Sequence, residues 1–277
     1  MAILETSAGP LYYQVLDVTA PWVAAPETIL FHHGVGTNGD VFAGWLAGLA
    51  ERYRLVRFDV RGLGRSAKPA AEFRYSLDSL MADALAVADA VGASRFHMVG
   101  ESAGGTVALY TAARRPERLL SMTGVSFSHK GASIDHVREW RRFVETNGMR
   151  AWSRQMMERR FHPGALPPEK HAWFEREQDA GDPGVLLALA DMLIGADLSA
   201  LASGIRHPVL MLVPDGSPFV PVKVAAELFS LLPNAEIQVF PHARHSLCLT
   251  HGAECAAALA GFLQRRRAAT GVAAAAP

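Results

Sequence analysis

The stretch from Arg95 to Ala113 constrains this chain more than any other. A short apolar strand, Phe96-His97-Met98-Val99, runs into Gly100-Glu101-Ser102-Ala103-Gly104, and a helix of small residues follows at once. A serine on so sharp a strand-to-helix turn is pushed out above the sheet with its hydroxyl exposed. Gly100 and Gly104 suit the turn because side chains there collide with the neighbouring strand and helix as it tightens. Ser102 also stands at a helix N-terminus, where free N–H groups and the dipole favour developing negative charge. Chance supplies roughly 0.1 Gly-x-Ser-x-Gly pentapeptide in a chain of this length. The pattern therefore gains its weight from the strand before it and the helix after it.

At 277 residues the chain suits one large α/β domain, or a domain with an insert. Hydrophobic residues make up 50%, enough for a sizeable core. Basic and acidic residues balance at 27 each, which leaves no electrostatic footprint for nucleic acid or an anionic membrane. A small molecule is the expected partner, and the oligomeric state is left open. No apolar run approaches the ~20 residues of a membrane span. The start, Met1-Ala2-Ile3-Leu4-Glu5, lacks the basic and apolar regions of a signal peptide. Cys248 and Cys255 fall on one predicted helix about two turns apart, too far for a disulfide. Free thiols without a signal peptide fit a reducing cytoplasm. No Cys/His cluster has zinc spacing, so neither metal nor cofactor is expected.

Two strands are predicted between residues 2 and 18. Thr28 to His32 is a continuous apolar run, as expected of a strand covered on both faces. It ends in His33-Gly34-Val35-Gly36-Thr37-Asn38-Gly39, a glycine-rich turn that lets backbone approach a ligand closely. Apolar spacing predicts helices over Asp40 to Arg52 and Ser76 to Val91, with a strand from Tyr53 to Val60 between them. Leu119 to Phe127 reads as the strand after the serine helix. Strands and helices thus alternate from residue 28, the signature of a doubly wound α/β fold with a mostly parallel sheet. The rhythm breaks between His129 and Gly204, where no strand is evident and Trp140, Trp152, Phe161 and Trp173 lie among charged residues and prolines. This predicts a helical insert whose aromatic residues line an apolar pocket over Ser102. The expected division is a first core part over 1–128, a helical cap over 129–205, and a second core part over 206–277. Four arginines of the insert, Arg141, Arg142, Arg159 and Arg160, are candidates for binding a substrate carboxylate, although charged helix residues usually form a solvated face. The sheet resumes at Pro208 to Val213, and a last strand, Ala235 to Phe240, leads through Pro241-His242-Ala243-Arg244-His245-Ser246 into a helix over His251 to Arg267. The Ala-rich end, Thr270 to Pro277, reads as a frayed tail.

A serine nucleophile needs a base, an acid to orient it and donors for the oxyanion. His33-Gly34, Asp59 to Ser66, Gly100 to Gly104, Pro116-Glu117-Arg118 and Pro241 to His245 together resemble the α/β-hydrolase superfamily along almost the whole chain. Within it, the chain is similar to single-domain members with a helical cap: enol-lactonases, meta-cleavage-product hydrolases, small esterases and cofactor-free haloperoxidases. The resemblance implies an eight-stranded-type sheet, Ser102 as nucleophile, His245 as base, and backbone N–H groups of Val35 and Ala103 as the oxyanion hole. His242 and His33 compete as base, but His245 matches the family position. The implied activity is hydrolysis of a small ester, lactone or related acyl compound through an acyl-enzyme. Cleavage of a carbon–carbon bond or a small amide shares the same triad. A catalytically weak, ligand-binding member of the fold is the alternative from another class.

The orienting acid departs from the family pattern. Ser217 occupies the usual aspartate position, ahead of Pro218 and Pro221. Asp215 lies two residues earlier and is the expected third member of the triad, displaced within its loop. Orientation of the histidine by Ser217, by Ser126 or by an unplaced carboxylate stays open.

Overall fold

The computed structural model describes residues 2–269, so the predicted tail over 270–277 lies outside the described residues. Eight strands form one sheet: β1 (Ala2–Leu4), β2 (Leu11–Leu16), β3 (Thr28–His32), β4 (Arg54–Phe58), β5 (Phe96–Glu101), β6 (Leu119–Val125), β7 (Val209–Pro214) and β8 (Ala235–Phe240). Their spatial order is β1-β2-β4-β3-β5-β6-β7-β8. β1 and β2 pair antiparallel, as do β2 and β4, and every later pair is parallel. The sheet is the eight-stranded, mostly parallel α/β arrangement that the alternating pattern anticipates.

Residues on the central strands alternate between two apolar layers, because successive side chains of a strand point to opposite faces. Leu30, Met98, Met122 and Met211 pack on one face with α1 (Leu77–Ala90), α2 (Ala103–Arg114) and α7 (Val222–Leu231). Ile29, Phe31, Val99, Val125 and Leu212 pack on the other with α8 (Leu247–Thr250) and α9 (Gly252–Ala269). Burial on both faces explains why β3, β5 and β7 are predominantly apolar without a polar alternation.

Two predicted helices differ in detail. The segment expected as a helix over Asp40 to Arg52 is a 3-10 helix, Gly39–Trp45, followed by turns. Its Gly39 N–H donates to the Asp59 carboxylate at 2.8 Å, and the Asn38 side chain caps Asp40. Gly44 and Gly48 let this segment lie directly against Gly252 and Ala256 of α9, a close approach that a longer, bulkier helix would forbid. The predicted last helix is split into α8 and α9, so Cys248 and Cys255 stand on separate helices; both are free thiols.

Between β6 and β7 the chain forms α3 (Trp140–Arg160), α4 (Pro168–Asp179), α5 (Pro183–Gly195) and α6 (Ser199–Ala202). A bridge between Lys130 and Asp197 ties the two ends of this segment together. α3 is kinked at Gly148, whose φ of 79° is left-handed. Among the described residues no helix is long and apolar enough to cross a membrane.

Candidate active site

Ser102 has φ 52° and ψ −117°, a backbone conformation that a non-glycine residue adopts only when its surroundings hold it there. Its own N–H donates to Val125 O at 2.9 Å, which ties the turn to β6. A Cβ at Gly100 would run into the backbone of Gly104 and Gly105, and one at Gly104 into the carbonyl of His32. The tight contact of strand, turn and helix therefore depends on both glycines.

His245 reaches this serine from the loop after β8. Its Nε2 lies 3.0 Å from Ser102 Oγ. The histidine is buried, with its ring edge against Phe219 at a centroid distance of 4.9 Å. Burial pushes its pKa down to about 3, and the nearby Arg160 charge adds to the shift. His33 is not part of this pair: its Nε2 accepts from the Val60 N–H at 2.8 Å, which joins the glycine-rich loop to the turn after β4. His242 carries a positive φ of 54° in the turn before Ala243 and makes no contact with Ser102.

The group on His245 Nδ1 is Ser217 Oγ, at 3.0 Å. The placement of Asp215 corrects the sequence expectation. Its carboxylate accepts from the N–H groups of His242 at 3.0 Å and Ala243 at 3.2 Å, on the exposed side of the loop. Those amide bonds, with His242 first, hold its pKa below the usual carboxylate range. The reason lies in the backbone: the Asp215 N–H still donates to Phe240 O at 3.1 Å, so this residue extends the β7–β8 ladder with its side chain turned outward. The chain bends inward only after Gly216, and Ser217 arrives buried at the ring. Asp215 shapes the histidine loop without touching the imidazole. Ser126, the other open alternative, is buried with an unpartnered hydroxyl and lines the same cavity.

Ser217 Oγ also accepts from Phe219 N at 3.3 Å and Val220 N at 3.1 Å. These two bonds occupy both lone pairs of a hydroxyl oxygen, which leaves its hydrogen to point at Nδ1. With Ser217 donating, the imidazole hydrogen stands on Nε2, facing Ser102; with Ser217 accepting, it stands on Nδ1. A carboxylate can only accept, and so fixes the Nδ1–H tautomer that a general base requires. The pair of amides aimed at Ser217 Oγ is itself a cradle suited to negative charge.

A small cavity lies over Ser102, bounded by Val35, Ala103, Trp140, Arg160, Phe219 and His245 among others. Its free volume of about 20 Å³ is close to that of one water. Among the described residues, the N–H groups of Val35 and Ala103 make no hydrogen bond to another protein group. Of the four insert aromatics named above, Trp140 lines this cavity. Trp152 stacks edge-on against it at 5.1 Å, while Phe161 and Trp173 face other grooves. Arg160, at the end of α3, is the one of the four candidate arginines buried at the cavity, whereas Arg141 pairs with Asp191 at 2.7 Å in solvent. Glu101, immediately before the serine, drew no attention in the sequence. It is fully buried beside Gly34, where a Cβ would strike its carboxyl, and burial raises its pKa to about 7. A lone acid inside an otherwise apolar strand was the available signal.

Residues 27–161 match the family model described as the alpha/beta hydrolase fold. The chain has the α/β-hydrolase fold. Solved structures of this fold superpose over nearly its whole length. The enol-lactonase from Burkholderia xenovorans has a TM-score of 0.85 at 20% identity over 95% of this chain and 100% of its own. A hydrolase from Pseudomonas aeruginosa has 0.84 at 21% over 95% and 97%. Among sequence relatives, a protein of Caulobacter segnis with the provisional name carbamate hydrolase RutD is 27% identical over 82% of this chain and 88% of its own. Its namesake in Pantoea ananatis is 27% identical over 92% and 94%. The turn holding Ser102 and the loop holding His245 stand at the carboxyl ends of β5 and β8.

Proposed function

We propose that this chain is a serine hydrolase acting on a small ester, lactone or carbamate. The observation that carries the reading is the 3.0 Å contact between His245 Nε2 and a serine held at positive φ on a strand-to-helix turn. Ser102 Oγ attacks the carbonyl carbon and its proton passes to His245 Nε2. The carbonyl oxygen becomes an oxyanion that accepts hydrogen bonds from the Val35 and Ala103 N–H groups, helped by the N-terminus of α2. Collapse expels the leaving group, which takes the proton from Nε2 and leaves an acyl-Ser102. Water then attacks the acyl group with the same histidine as base. In this cycle Nδ1 must carry a hydrogen, so Ser217 turns from donor to acceptor, at the expense of its bonds to the amides of Phe219 and Val220.

Ester and lactone cleavage follows from the site chemistry, and the similarity to proteins named for carbamate hydrolysis adds the carbamate carbonyl to the same class. The narrow cavity favours a small acyl group. Ser217 in the acid position also supports a second reading, a slow or ligand-binding member of the fold, because a neutral hydroxyl stabilises an imidazolium poorly.

A fluorophosphonate probe tests the reading. The expected result is one label on Ser102, located by peptide mass spectrometry and abolished in Ser102→Ala. A label elsewhere on folded protein, or none, overturns it. Labelling without turnover of p-nitrophenyl acetate selects the second reading.

A further inference from the structure

Arg160 is a buried cation at the reacting centre without an anion of its own. Its residue is 4% exposed, and its guanidinium lines the cavity that holds Ser102 and His245. Its Nε has no acceptor, and its Nη2 reaches Val35 O only at 3.5 Å, the limit of a hydrogen bond. The aromatic faces of Phe174 and Phe219 lie 5.6 and 6.0 Å from the guanidinium carbon and supply weak cation–π attraction. Glu101 contributes attraction across the site but forms no ion pair with it, and burial keeps that carboxyl partly protonated near neutrality. A fork of donors held in a dry pocket matches a carboxylate in both charge and shape.

We propose that Arg160 anchors a carboxylate carried by the substrate, so that the site selects small anionic acyl compounds. The inference rests on the hydrolase reading for its chemistry, and on Arg160 alone for its selectivity. The guanidinium sits beside Val35, next to the proposed oxyanion position, so the substrate carboxylate lies within a few bonds of the scissile carbonyl. Direct stabilisation of the oxyanion is the rival role. It is disfavoured because an unneutralised cation beside His245 opposes formation of the imidazolium in every turnover. A bound carboxylate removes that opposition, and two backbone donors already serve the oxyanion.

The test compares mono-p-nitrophenyl succinate with p-nitrophenyl acetate in wild type, Arg160→Met and Arg160→Lys. The expected result is a rise of roughly 10–100-fold in the ratio of the succinate KM to the acetate KM in Arg160→Met, the size of a lost charge-assisted pair. Arg160→Lys keeps the charge without the fork and falls between. An equal fall in kcat for both esters assigns Arg160 to the oxyanion and overturns the proposal. Titration calorimetry with succinate decides the matter separately from turnover: saturable binding to wild type that is lost in Arg160→Met supports the anchor, and equal or absent binding refutes it. Failure of the fluorophosphonate label with succinate binding intact would defeat the hydrolase reading while leaving the anchor standing.

Discussion

At the scale of single residues, the site turns on what faces His245 Nδ1. A buried carboxylate would hold the tautomer and offset the charge on the ring, and its loss costs up to about 10⁴ in rate. Ser217 does neither, and the Arg160 cation acts in the opposite direction. The free enzyme should therefore show no loss of kcat/KM near pH 6.5. With the base held near pKa 3, the acidic limb belongs below about pH 5, and a limb at 6.5 in a pH–rate profile would contradict this. Low basicity extends activity to acid pH and lowers its ceiling, because a weak base draws the serine proton with less driving force. Asp215 supports the loop through two amide bonds on its exposed side. Asp215→Asn keeps one acceptor and the fold, and should cost less than about tenfold in kcat/KM, far below the loss expected of a triad acid. A fall of three orders of magnitude would return Asp215 to the triad.

At the scale of elements, the contact of β5, turn and α2 sets where the serine stands. Gly100→Ala forces a Cβ into the backbone of Gly104 and Gly105, which cannot move aside as a flexible side chain would. A loss of about 3 kcal/mol is expected, read as a lowered denaturant midpoint, together with loss of the Ser102 label. An unchanged midpoint would show that the turn is looser than described. Helix α3 makes the opposite case. Arg160→Met replaces a buried, incompletely paired charge with an apolar side chain of similar length, so the midpoint should hold or rise. A fall of several kcal/mol would mark Arg160 as a structural cation. These elements were legible to different degrees. The elbow and the alternating strands were plain, because periodicity and glycine placement are local signals. The 3-10 segment Gly39–Trp45 was not, since its shape is set by α9, more than 200 residues away in the chain.

At the scale of the whole molecule, burial of titratable groups within the two layers makes stability depend on pH. His32, His33 and His245 are fully buried and neutral, and burial lowers the pKa of each, to about 3 for His32 and His245. Their contribution is present above the unfolded value near 6.5 and is lost as pH falls toward 3. Glu101 runs the other way: raised to about 7, it favours the folded state below 4.5 and loses that effect as pH rises through 7. Between pH 4.5 and 6.5 His32 and His245 outnumber it by one, so stability should fall on acidification by about 1.4 kcal/mol per pH unit, a net uptake of one proton on unfolding, and His33 acts in the same direction. Urea midpoints at pH 7.5, 6 and 5 measure this, and a flat profile would contradict the burial of the three rings. The fold and the pairing of Ser102 with His245 could be read from sequence, because both rest on ordered motifs. The role of Ser217, and the isolation of Arg160 among four similar arginines, could not. Each depends on which way a side chain turns inside its loop or helix, and neighbours distant in sequence decide that.

The most direct test of a hydrolase site with a neutral residue in its acid position is kcat/KM for p-nitrophenyl acetate in Ser217→Asp against wild type, across pH 4 to 9. The Phe219 and Val220 amides already point at the substituted position and would hold a carboxylate facing Nδ1. The account predicts a gain of roughly tenfold or more at pH 8, within the 10⁴ ceiling of a triad acid, with the acidic limb moved up toward pH 6–7. A folded Ser217→Asp protein with unchanged or reduced turnover and an unmoved limb would contradict it.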